Sequence, residues 1–390
     1  MTSRSWRTIS AVDYHFAFER FGGSFAVHPR VVDLVCALSR RPARYMGLAH
    51  GGEIVAAAPL WGERVLATRA ALDAYGASAL IDVGDAEVVL PVARDIRIEM
   101  PFAAATLSDL HAANIGNLMR DSCVYPGREN IAHLALAKGL RAGSCRQSAK
   151  SRKRRRLQIR RVLERGGAFR PLREFSADDL AAIYRRLYRK RWGEGAFLLG
   201  EDHLRIVFRE LGDLLFGDLL LFEDRPVAME IVYKIETPLW LLANGVQAGY
   251  DPALDEFSIG SALLYHNLER LEDEAITAGK TLRYSLGWSD APYKAFWTYE
   301  EPAWRLCETA ATLRSALGDG ATETSRLARI SRPVREIASS VSCGLRLRAR
   351  RAAEALARIS APLDRPPSDN GSAAERASSR AAPCDEGIEK

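Results

Sequence analysis

The chain has 390 residues, a formal charge of +6 and an apolar content of 47%, which fits two domains with a remainder at roughly 150 residues each and excludes a wholly disordered protein. No apolar run reaches the ~18 residues of a spanning helix, and the N-terminal MTSRSWRTISAVDYHF lacks an apolar secretory core, so a cytoplasmic location is expected. Cysteines at 36, 123, 145, 307, 343 and 384 form no CxxC pair and the histidines form no HExxH or HxH, so reduced thiols and no metal are expected.

In chain order, a helical pattern around residues 29–40 is followed by ARYMGLAHGGEIVAAAPLWG, two strands joined at Gly51-Gly52. Residues 64–100 mix a strand-like run, EVVLPVARDIRIEM, with Ala-rich helical stretches, and the Asn/Gly-rich HAANIGNLMRDSCVYPGREN closes the region. This predicts a mixed α/β domain over residues 1–145. Residues 141–165 then hold eleven Lys/Arg against the single Glu164, a net of +10. Ile159, Val162 and Leu163 at i, i+3, i+4 give this segment a narrow apolar helical face. Basic runs attract nucleic acid and anionic membranes; here neither binding-motif spacing nor interleaved aromatics accompany the run, so nucleic acid is not an expected partner.

The second region, 146–318, has clearer punctuation. Ser176 is a candidate N-cap for SADDLAAIYRRLYRKRWG, with Asp178-Asp179 in the first turn. GDLLLFEDRPVAMEIVYKI predicts two strands about a turn at Glu223–Pro226, PLWLLANGV a third, and QAGYDPALDEF a loop. A helix is predicted from about Ser258 to Ala278 on the stripe Leu264, Leu268, Leu271, Ala275, with Gly279 as its C-terminal stop and TLRYSLG as the next strand. That order implies a helix packed over a mostly antiparallel sheet. Residues 319–390 contain a second basic segment, 326–360, with nine Arg against Glu336 and Glu354 and a net of +7; it predicts an interfacial helix on anionic lipid, followed by a Pro/Ser-rich disordered tail. The rest of the chain carries −11.

GYDP (249–252), SIGSALL (258–264), LGWSDAPYK (286–294) with Phe296-Trp297, and Lys190-Arg191-Trp192 together resemble the acyltransferase domain of the FemAB and CelD-like branch of the GNAT superfamily over roughly residues 146–306. GGSFAVHP at 22–29 resembles more narrowly the macrophage-inducible-gene (Mig) family linked to antimicrobial-peptide resistance, whose members associate with the inner membrane. The resemblance implies two tandem GNAT-like domains, each a mostly antiparallel sheet flanked by helices, with acyl-CoA as co-substrate. Ile259 stands where the branch has proline, Asp255-Glu256 put negative charge before the helix, and the GNAT pattern Gln/Arg-x-x-Gly-x-Gly is missing, which leaves an aminoacyl-tRNA donor open.

Chemistry assigns the candidate residues. A helix N-terminus at Ser258, Gly260 and Ser261 suits a pyrophosphate, unless Gly260 only allows close packing and Ser258 only caps. Glu230, in the apolar strand VAMEIVYK, would have a raised pKa and act as base, unless it faces solvent beside Lys234. Tyr293 would protonate a leaving thiolate and Lys294 would bind an anionic donor or substrate, unless the Tyr ring packs in the core and the Lys reaches outward. Asp290 is a second base candidate. The expected activity is N-acyl transfer to an amine on a small molecule or envelope precursor, with the tail docking an anionic membrane; the alternative is a non-catalytic inner-membrane protein of peptide resistance.

Overall fold

In a computed structural model, residues 5–66, 68–120, 129–135 and 148–306 are described. The expected 319–390 tail, and the cysteines beyond Cys36, lie outside them. All belong to one unit, residues 1–316.

The first region opens with β1 (Trp6–Ile9) and α1 (Ala11–Phe21), the latter started by a reciprocal Ser10–Asp13 capping box. Next come α2 (Pro29–Ser39), with Pro at its first turn, and the expected hairpin β2 (Arg44–His50) and β3 (Glu53–Trp61). With β4 (Arg64–Val65) these strands form the sheet β1-β2-β3-β4. After α3 (Arg69–Ala74), the run at 87–100 is not the strand its apolar content predicted. It makes only isolated bridges, such as Val88 to Leu107 and Ile98 to Ile115, because Pro91 and its turns interrupt the ladder. Its side chains are nevertheless buried, including Val88, Leu90 and Met100. The region ends with β5 (Ala104–Leu107), β6 (Leu118–Arg120) and β7 (Asn130–Leu134).

The second region starts with the basic α4 (Ala149–Glu164), capped by Ser148 and buried at Val162. It continues through β8 (Gly167–Pro171), α5 (Ala177–Trp192, capped by Ser176 as expected), α6 (Glu201–Glu210), β9 (Leu215–Phe216), β10 (Asp218–Phe222) and β11 (Arg225–Glu236). Strand β12 (Trp240–Tyr250) runs further than predicted, since Gln247–Tyr250 pair with β11 instead of forming a loop. The long helix α7 (Ile259–Thr277), β13 (Thr281–Trp288), α8 (Lys294–Trp297), β14 (Thr298–Pro302) and β15 (Trp304–Leu306) complete it.

The main sheet has the order β14-β7-β13-β12-β11-β10-β8, with β9 on β11. Every pair is antiparallel except β12–β13. Alternation along β11 sends Met229, Ile231 and Tyr233 into the core shared with α5, α6 and the first region, while Val232 joins the α7 side. Strands cross the expected boundary at 145: β7 lies inside the main sheet, and β15 sits between β5 and β6. A buried ion cluster fastens the two regions. Arg283 of β13 reaches Glu301 Oε2 at 2.6 Å and Glu87 Oε1 at 3.3 Å, and His133 Nε2 lies 3.2 Å from Glu87.

Candidate functional site

The ladder between β12 and β13 runs from Trp240–Thr281 to Asn244–Ser285 and stops there, although both strands continue. Beside that point β12 carries an extra residue: Ile231 pairs with Gln247 and Val232 with Gly245. Such a bulge bends the strand that contains it. The two parallel strands therefore diverge, and a cleft of about 610 Å³ opens between them, with the start of α7 and the end of α5 on its walls.

This cleft gathers most of the candidate residues: Glu230, Ser258, Gly260, Ser261, Tyr293 and Lys294 all line it. Asp290 does not; its Oδ1 lies 3.4 Å from Lys294 Nζ.

Glu230 is 6% exposed. Its Oε1 accepts from Tyr284 Oη at 2.9 Å and its Oε2 from Asn267 Nδ2 at 3.2 Å. Lys234 pairs with Glu274 instead, so the solvent-facing pairing with Glu230 does not occur. Burial raises the Glu230 pKa, against the lowering effects of the Asn267 and Tyr284 hydrogen bonds and the Arg191 charge. Asn267 is fixed in turn, because its Oδ1 accepts from the Asp218 backbone N–H at 3.1 Å.

The Tyr293-Lys294 pair is reversed from the packing alternative. Tyr293 is half exposed at the cleft, whereas Lys294 is buried and its Nζ donates to the Trp288 carbonyl. Burial raises the Tyr293 pKa, with Arg191 opposing and Asp290 and Glu230 reinforcing. A phenol is protonated at neutral pH in any case, and the raised pKa makes it a weaker acid, so what suits Tyr293 to donate a proton is its place at the cleft.

At the start of α7, Ser258 has φ 49° and ψ 46° and makes no capping hydrogen bond, so it is not the side-chain cap the sequence suggested. A left-handed serine stores strain of ~1–3 kcal/mol. Gly260 packs closely on Tyr250, where a Cβ would meet the ring at 3.0 and 3.1 Å, and it also lines the cleft. Asp255, exposed on the cleft wall, opposes an anion at this end.

Arg191 is the residue whose place the sequence concealed. It closes α5, donates from an Nη to the Ala248 carbonyl at 2.9 Å, and lies over the Trp192 and Tyr250 rings at 4.3 and 4.7 Å. The resemblance marks it only within the Lys190-Arg191-Trp192 element and assigns it no place in a site. Tyr284 and Asn267 were equally hidden, although a polar Asn beside the apolar stripe of α7 is a faint signal of a buried hydrogen bond.

The family model for Mig-14 matches residues 28–306. The chain belongs to the Mig-14 family. No curated protein matches its sequence. Among solved structures it is similar to FemX, at TM-score 0.49 and 8% identity over 80% of this chain and 99% of that one. It is also similar to L-PGS from Bacillus licheniformis, at 0.41 and 11% over 77% and 92%, and to a tandem GNAT protein from the clavulanic acid biosynthesis pathway, at 0.36 and 13% over 78% and 98%. Like the sequence reading, the structure of this Mig-14 family chain is mixed α/β, with largely antiparallel sheets flanked by helices. Among the described residues, no helix is long and apolar enough to cross a membrane and no group of three or more His, Cys, Asp or Glu is placed to hold a metal ion.

Proposed function

We propose that this Mig-14 family protein is an acyltransferase that moves an acyl group from a thioester donor of the acyl-CoA type to an amine. The observation that carries the reading is the divergence of β12 from β13 beside Glu230. It leaves the outer edge of β12 open to an extended donor chain, with a buried carboxylate at the side of the cleft.

An ammonium cannot attack a carbonyl until it loses a proton, and a carboxylate with a raised pKa is a better base than a solvated one. Glu230 takes that proton. The amine nitrogen bonds to the thioester carbon, and the carbonyl π pair moves to oxygen. As the tetrahedral intermediate collapses, the C–S bond breaks, Tyr293 Oη protonates the thiolate, and the surplus proton still on the nitrogen restores the phenol and leaves a neutral amide. The start of α7 at Gly260 and Ser261 faces the donor's phosphates.

The tied-down Lys294 and the exposed Asp255 favour one rival, a non-catalytic protein acting in peptide resistance at the membrane surface. Thermal shift against a panel of acyl-CoAs and aminoacyl-tRNA separates the two, since a ligand bound by the folded state raises the melting temperature. At least one donor should stabilise the protein and be turned over, and Glu230→Gln and Tyr293→Phe should each slow turnover without unfolding it. A panel without a single stabilising donor would overturn the reading.

A further inference from the structure

The cleft presents two cations, Lys294 and Arg191, in contrasting ways. Lys294 is 8% exposed, with its Nζ on the Trp288 carbonyl, so it offers little to a ligand. Arg191 differs: its contacts among the described residues are one carbonyl and the faces of Trp192 and Tyr250. Contact with a ring centroid uses no N–H donor, and the Ala248 carbonyl takes one of the five a guanidinium carries, so donors of its fork remain for a ligand. That fork suits a carboxylate or phosphate, which it binds through two parallel hydrogen bonds. The carbonyl of Ala248 also accepts from Trp192 Nε1 at 3.2 Å, which fixes the last turn of α5 and hence the position of the fork. Glu230 lines the same cleft, with Tyr284 and Asn267 holding its two oxygens.

We propose that the acceptor is a zwitterion, an amine bearing a carboxylate or phosphate group, whose acid oxygens pair with the Arg191 fork while its amine faces Glu230. The inference rests on the acyl-transfer reading, which it narrows from amines in general. A purely cationic diamine would bring a second positive charge to Arg191 and be rejected; a plain alkylamine would leave the fork unpaired. The acid group has two sources, the carboxylate of an amino acid or peptide and the phosphate of a headgroup, and both present the same oxyanion edge.

The test is calorimetric titration of the full chain with β-alanine, O-phosphoethanolamine, ethanolamine and 1,3-diaminopropane, repeated on Arg191→Met and Arg191→Lys, with melting curves to establish folding. One or both acid-bearing amines should bind about tenfold or more tighter than the other two, the size expected of a charge-assisted pair. Which of them binds identifies the source of the acid group. Arg191→Met should abolish that preference. Arg191→Lys, which keeps the charge without the fork, should reduce it several-fold, and it remains informative if the Met variant fails to fold. Equal binding of all four amines, no binding of any, or a preference that survives both substitutions would overturn the proposal. A preference retained in a protein that binds no acyl donor would sink the acyl-transfer reading and leave the zwitterion site standing. Donor turnover without the preference would do the reverse.

Discussion

Gly249 controls how closely α5 approaches β12. A Cβ on it would lie 2.6 Å from the Tyr188 backbone nitrogen and 2.7 Å from the Leu187 carbonyl carbon. Both are main-chain atoms of a helix and cannot rotate away, so in Gly249→Ala the helix must retreat by about 1 Å to restore ordinary contact. Overpacking of this kind costs ~1–3 kcal/mol. The retreat also strains the hydrogen bonds from Arg191 and Trp192 to Ala248, at ~1 kcal/mol each, for a total of roughly 3–5 kcal/mol. With ~2.1 cal/mol/K of unfolding entropy per residue over roughly 300 residues, melting should fall by about 5–8 °C. The assay is a thermal melt of Gly249→Ala beside Gly195→Ala, where an added Cβ meets nothing within 4 Å. The Gly249 variant should also lose its amine binding, since the helix that carries Arg191 has moved. Equal melting of the two variants would refute the reasoning.

Glu230→Gln should melt above wild type at pH 7–8, with the gap closing below about pH 4. Burial raises the Glu230 pKa, so its ionisation costs stability progressively as pH rises from the unfolded carboxyl range through the raised folded value, and glutamine removes that cost; melts across pH measure it. Asp218 works the other way. Burial would raise its pKa, but His266 and Arg270 together bring it below the ordinary value. Its contribution is thus present above about pH 4 and disappears as pH falls through the lowered folded value, and Asp218→Asn should flatten the acid side of the melting profile. Arg283→Met removes the guanidinium from the buried Glu87, leaving it only His133 as a nearby basic group, and should cost ~3–5 kcal/mol, read as a shift in denaturant midpoint. An unchanged midpoint would show that the cluster does not fasten the two regions.

Local signals were legible wherever chemistry is local. Ser176 caps its helix, the Glu223–Pro226 turn joins two strands, and Gly279 follows the end of α7 with φ 66°. Glu230 stood out because a carboxylate in an apolar strand demands an explanation, and the cleft supplies one. What stayed hidden depends on partners far away in the chain. The run at 87–100 has the composition of a strand but meets its partners only at single bridges. The Lys190-Arg191-Trp192 element was visible, but the place of Arg191 at the cleft depends on Ala248 and Tyr250, nearly sixty residues on. Ser258 has nothing in its side chain to announce a left-handed backbone; the geometry is imposed where the turn meets α7.

The placement of β15 between β5 and β6 has a consequence for how the protein is made. Strands β5 and β6 leave the ribosome early, yet the strand that joins them ends at Leu306. At ~5–20 residues per second, the 186 positions separating Arg120 from Leu306 take roughly 10–40 s to synthesise. During that interval β5 and β6 lack the strand that lies between them, and a chaperone that shields their open edges would raise the yield of native protein.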